Sequence, residues 1–212
     1  FEFNNLHHEH ISYGTLNDSD GNPFKTRDGG TKPLSELFEE TYEYIKNINS
    51  DLEDSTIKQL ANSVLTFSDL ITNRKTDYKF DLEKFTNVNG KTGIYVQYAQ
   101  VRAKRLQQSI SQQKNEMESL VLSDVDKQLL SQLFMFGYFL EQSSSLNEPH
   151  HLANYLYDIS NSFNQFYEHE KLSEIKDINH LSSKLYLINL FLTTSENVMF
   201  CLGMKPVDKM WL

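Results

Sequence analysis

The sequence predicts a mainly α fold: a helical bundle preceded by a helical connector, with one short β-hairpin near the start of the chain. Three observations carry that expectation. From Pro33 onward, apolar residues recur three and four positions apart, the period of a helix face. Ser123-Asp124, Glu148-Pro149 and Gly203 punctuate those stretches with helix start and stop signals. Strand-like alternation is confined to the first thirty residues, where positions 10–16 run into the turn formers Asn17-Asp18-Ser19-Asp20-Gly21-Asn22.

Each element follows from local pattern. Pro33 suits a first helical position, with Glu36, Glu39 and Glu40 near the positive end of the dipole and Leu37, Phe38, Tyr42 and Ile45 on one face. A second helix fits 54–71 through Ile57, Leu60, Val64 and Ile71, and 81–85 fits a single helical turn. Asn89-Gly90 is a break and the expected domain boundary. Four longer helices follow. The first spans about 92–114. The second starts near Ser123-Asp124 and buries Leu129, Leu130, Leu133, Phe136 and Leu140. The third opens at Glu148-Pro149 with Leu152, Leu156, Ile159, Phe163 and Phe166 or Tyr167 on its face. The fourth, capped near Asn179, carries Leu181, Leu185, Ile188, Leu192 and Met199 and stops at Gly203.

Composition narrows the function classes. A chain of 212 residues can bury a substantial core. No run approaches the ~20 apolar residues of a membrane-spanning helix. Cys201 is the only cysteine, which excludes a disulfide within the chain and suits a reducing cytoplasm. The start, Phe1-Glu2-Phe3-Asn4-Asn5, reads as a chain cut from a longer one. A net charge of −9 argues against indiscriminate nucleic-acid binding, so any RNA contact needs a local basic stripe. Arg102, Lys104 and Arg105 offer one, with a solvated helix face as the alternative.

Several residues could carry chemistry. In Pro23-Phe24-Lys25-Thr26-Arg27-Asp28-Gly29-Gly30, the two cations can meet phosphate and the glycines let the backbone approach a ligand; by itself the segment also fits an ordinary surface turn. Gln97, Tyr98 and Arg102 fall on neighbouring turns of one helix. Tyr98 can stack on an unpaired base, Gln97 can bond a base edge and Arg102 can take phosphate, whereas a core position for Tyr98 fits the pattern equally well. Arg74 can reach RNA or pair with Asp77. His7, His8 and His10 lie on an extended segment that sends side chains to alternate sides, and no Cys or carboxylate completes a tetrahedral set, so no metal site is expected there. His150-His151 read as surface or cap residues.

The order and spacing of motifs resemble the C-terminal half of arginyl-tRNA synthetase, a class I aminoacyl-tRNA synthetase. The resemblance rests on Gly14-Thr15-Leu16 with Asp20-Gly21, Lys25-Thr26-Arg27, Ser68-Asp69-Leu70, Asn73-Arg74-Lys75-Thr76-Asp77-Tyr78, Gln97-Tyr98-Ala99 with Arg102, Tyr155-Leu156-Tyr157, Phe166-Tyr167-Glu168 and Lys209-Met210. It departs from the family at Lys91 and Gly93, where Asn and Ala are usual, and in ending on Trp211-Leu212. The resemblance implies three regions: the end of the catalytic domain over 1–32, a connector over 33–90, and a DALR-type anticodon-binding bundle over 91–212. The hairpin would then be a remnant of the class I catalytic domain. It further implies that Lys25 and Arg27 act on ATP phosphates in a degenerate Lys-Met-Ser-Lys-Ser loop, with Thr26 beside them and Mg2+ accompanying the nucleotide. Arg74, Gln97, Tyr98, Arg102, Arg105, Lys209 and Met210 would contact tRNA(Arg). The parent would be a cytoplasmic, monomeric arginine–tRNA ligase using arginine and ATP. The family's His-Ile-Gly-His signature occurs nowhere in these residues, so the chain alone is expected to be inactive. A free-standing anticodon-binding-like RNA-binding protein and a helical protein-interaction module are the alternatives.

Overall fold

A computed structural model describes residues 8–17, 33–79, 81–110, 119–169, 172 and 175–210. The described residues form eight α-helices and two two-residue strands, the mainly helical fold that the periodicity predicts. Helix α1, Leu34–Ile48, follows Pro33 and pairs with α2, Asp54–Leu70, burying Leu37 and packing Ile45 with Ile57, Leu60 and Val64. Asp81 caps the single turn α3, Leu82–Phe85, by accepting the Lys84 amide.

The strand pairing differs from the expected hairpin. β1, Leu16–Asn17, pairs in parallel with β2, Tyr78–Lys79, across some sixty residues of chain. Parallel neighbours require a crossover, here supplied by α1 and α2, and cannot be joined by a tight turn. The return strand of the expected hairpin lies outside the described residues. What draws β1 to this place is the 74–77 turn. Gly14 donates to Arg74 O at 2.6 Å, and a Cβ at Gly14 would sit 2.7 Å from the Thr76 carbonyl, so this approach needs glycine.

The bundle consists of α4, Gly93–Ile110; α5, Asp124–Leu133; α6, Phe136–Leu146; α7, His150–His169; and α8, Ile178–Cys201. The single helix expected after Ser123 is two. Its first half starts as foreseen, with a capping box between Ser123 and Asp126. It stops at Leu133 because the buried Tyr155 hydroxyl sits against its end, 3.1 Å from both the Gln132 and Leu133 carbonyls. Past that break the helix face turns outward, which leaves Phe134 73% exposed and Leu140 on the surface instead of in the core. Helix α8 is capped two residues before Asn179, by Asp177, which accepts the His180 amide. It ends at Gly203 in the left-handed region, φ 75°.

Two apolar clusters fill the interior. The larger joins Val96, Ala99 and Ala103 of α4 to Leu129, Leu156, Phe163, Ile188 and Phe191, with the Phe163 and Phe191 rings stacked at 4.2 Å. The smaller joins Ile45, Leu60 and Val64 to Ile94 and Val101 of α4 and to Val207 and Met210 of the C-terminal segment. Helix α4 therefore serves both clusters. It meets α2 at Gly93, where a Cβ would lie within bonding reach of the Ser63 carbonyl, so the two backbones touch. Among the described residues one ion pair is fully internal: Lys184 Nζ lies 2.8 Å from both Asp126 oxygens.

Candidate nucleic-acid interface

Helix α4 has two polar faces with opposite fates, and their separation follows from its turn. Thr92 starts the helix, its Oγ1 accepting the Tyr95 amide at 3.1 Å and donating to Asn87 O at 2.6 Å. Gln97 then points inward and is wholly buried. Its Nε2 donates to Ser63 Oγ at 2.8 Å and to Lys205 O at 2.7 Å, and its Oε1 accepts the Val207 amide at 3.0 Å. With both ends of the amide satisfied by protein, Gln97 cannot read a base edge. It ties the C-terminal segment to α2 and α4 instead, and the expectation of an RNA contact is corrected.

One residue on, the helix turns toward solvent. Arg102 lies four residues after Tyr98 and meets α7 between two aromatic rings. Its guanidinium carbon is 4.8 Å from the Tyr98 ring centre and 3.9 Å from that of Tyr167. Its Nη1 donates to Asn164 Oδ1 at 3.1 Å and lies 3.8 Å from the mostly exposed Glu168. These contacts hold the guanidinium while, among the described residues, Nε and Nη2 make no hydrogen bond. Tyr98, Arg102, Arg105, Leu106, Ser109 and Tyr167 line an open recess of about 410 Å³. Among the described residues that line it none is a carboxylate, although Glu168 stands nearby at Arg102 and the chain as a whole is acidic. Aromatic faces, two guanidinium groups and a hydroxyl make a surface for a stacked base next to a phosphate.

The other expected residues fall elsewhere. Lys104 is drawn to the opposite side, where it pairs with Asp208 at 2.5 Å, so the basic stripe narrows to Arg102 and Arg105. Met210 is buried in the smaller core cluster. Lys209 is exposed, beside Asp51, Glu53 and Asp208, which makes poor ground for a phosphate. Arg74 neither reaches outward nor pairs with Asp77. Its Nε donates to Asn147 O at 2.9 Å, Nη1 to Ser12 O at 2.6 Å and Nη2 to Leu146 O at 3.4 Å. It thus binds the C-terminal carbonyls of α6 to the N-terminal segment, while Asp77 accepts the Thr15 amide at 2.7 Å. Lys25, Thr26 and Arg27 lie outside the described residues. Tyr167, Asn164 and Glu168 were missed as site residues. The available signal was that Phe166 fills the core position of α7, which rotates Tyr167 to the rim facing the basic stripe.

The fold and the recess together define an all-α bundle that presents a guanidinium beside two tyrosines. Comparison with known proteins narrows this class. The DALR anticodon binding domain family matches residues 96–210, more than half of the chain, and the family described as tRNA synthetases class I (R), catalytic domain, matches residues 1–82. An arginine–tRNA ligase of Francisella tularensis subsp. novicida is 37% identical over 178 residues, covering 80% of this chain and 31% of that protein. One from Stutzerimonas stutzeri is 32% identical over 212 residues, covering 95% and 37%. The Thermus thermophilus arginyl-tRNA synthetase structure shares the fold over 95% of this chain and 35% of its own, with a TM-score of 0.82 at 21% identity. This chain belongs to the DALR anticodon-binding family and corresponds to the C-terminal region of arginyl-tRNA synthetase, with part of the class I catalytic domain ahead of the bundle. It spans about a third of the length of the relatives it matches.

Proposed function

We propose that this chain binds the anticodon region of tRNA(Arg) through the Tyr98–Arg102–Arg105–Tyr167 recess, and that the protein it belongs to attaches arginine to tRNA(Arg) with ATP in the cytoplasm. The arginine held flat between two tyrosines carries the reading, since it offers a charge and stacking surface without a further ordering cost. In this reading 91–212 form the anticodon-binding bundle, 33–90 the connector and 1–32 the end of the catalytic domain. Lys25 and Arg27, with Thr26 beside them, contact ATP phosphates in the intact enzyme. The chain alone binds tRNA as a monomer but does not activate arginine, because its 212 residues hold no His-Ile-Gly-His-type segment.

Binding of the chain to tRNA(Arg) transcripts, with natural and substituted anticodons, tests this across a salt series. The proposal requires weaker binding to the substituted anticodon and the same loss from Arg102→Ala on the natural one. Equal and steeply salt-dependent binding to both would reduce it to phosphate attraction.

A further inference from the structure

We propose that Glu148, His150 and His151 form a site for one divalent transition-metal ion of the zinc type. The three lie where α6 hands over to α7, and one donor atom of each falls within 4.8 Å of the others. All three side chains are half-buried rather than spread on the surface, which corrects the reading of the two histidines as plain surface or cap residues. The imidazole rings sit 4.1 Å apart. Among the described residues, His150 Nδ1 and His151 Nε2 are both shielded from solvent and make no hydrogen bond, although Glu148 Oε2 lies 3.4 Å from the latter. Two unpartnered buried nitrogens next to a carboxylate are the donor set His₂Glu, which leaves a fourth position open.

Competing uses of these groups are weaker. The first amides of α7 are already taken, His151 by Glu148 O, Leu152 by Ser143 Oγ and Ala153 by Pro149 O, so the helix start offers no open anion cradle. Arg74 and Lys75 approach Glu148 only to 3.9 Å, and Arg74 spends its short hydrogen bonds on backbone carbonyls. These two cations temper the affinity for a dication without occupying the imidazoles. An ion here would lock the corner to which Arg74 ties Ser12, stiffening the junction between the N-terminal segment and the bundle.

The test uses the chain with His7→Asn, His8→Asn and His10→Asn, which removes the N-terminal histidines as rival ligands. Calorimetry with Zn2+ and visible absorption with Co2+ are the readouts. The site predicts one equivalent bound, intense Co2+ bands of a low-coordinate centre, and a rise in Tm with Zn2+. Millimolar Mg2+ should leave all three unchanged, since imidazole donors suit it poorly. His150→Gln with His151→Gln should weaken binding at least about tenfold and abolish the Tm rise; His150→Asn alone gives the same readout should the double variant not fold. No Zn2+ binding, displacement by Mg2+, or unchanged binding in the histidine variants would each overturn the site.

Discussion

Arg74 and Arg102 each leave 19% of the side chain exposed, yet one is consumed by the fold and the other is presented by it. Arg74 spends its donors on three backbone carbonyls from two distant segments. Arg102 leans its faces on Tyr98 and Tyr167 and gives one nitrogen to Asn164. Exposure therefore says little about whether a cation can serve a ligand. What separates the two is where the hydrogen-bond donors end: on carbonyls that nothing else satisfies, or beside rings that hold the plane and leave an edge open.

The sharpest way to break this contrast is Arg74→Ala. It strips partners from the end of α6 and from Ser12, and should cost about 3 kcal/mol in urea denaturation while changing tRNA affinity less than about threefold. A large affinity loss at unchanged stability would place Arg74 with Arg102. Gln97→Ala extends the test to the buried face of α4. It leaves the Val207 amide without a partner, so a loss of about 2 kcal/mol is expected, with an RNA defect no larger than the stability defect explains. Arg102→Ala should do the reverse: stability within about 1 kcal/mol of wild type, and tRNA binding weakened about tenfold, roughly 1.4 kcal/mol. Arg102→Lys should recover little of that loss, because an ammonium cannot lie flat between the tyrosines.

The smallest effect concerns pH. Hydrogen bonds from the Thr15 amide and side chain hold the Asp77 carboxyl below its ordinary value. A group depressed on folding stabilises above its unfolded pKa and loses that contribution as pH falls through the folded one. Amide-exchange protection at Thr15 should thus persist at neutral pH and fade under acid below the usual carboxylate range. Asp77→Asn should remove the pH dependence. An unchanged profile in that variant would detach the N-terminal segment from Asp77.

Much of the architecture was legible in the sequence, because period and caps are local. Ser123 starts α5 and Gly203 ends α8 where those residues stand. The failures came where a distant group intervened. Near Phe134 only Gly137 hints at a helix break, and the hydroxyl that meets the end of α5 belongs to Tyr155 of another helix. The parallel strand pair was invisible for the same reason: two residues on each side make no pattern of their own. In the recess, Tyr98 and Arg102 meet as their spacing predicts, but Gln97 was assigned to the same surface because residues one apart on a helix share a stretch of sequence, not a face. Tyr167 went unassigned as long as Phe166 and Tyr167 were equal claimants for one core position.

The latch made by Gln97 has a consequence for how this protein comes into being. The amide it accepts belongs to Val207, 110 residues further along the chain. Val207 and Met210 also complete the apolar cluster of Ile45, Leu60 and Val64, which are synthesised before them. On the ribosome α1 and α2 must wait, with part of their greasy surface uncovered, until the codons for Val207 and Met210 are read. A transcript cut short before Val207 would therefore yield a protein whose defect appears not at its truncated end but well upstream of it, in α1 and α2.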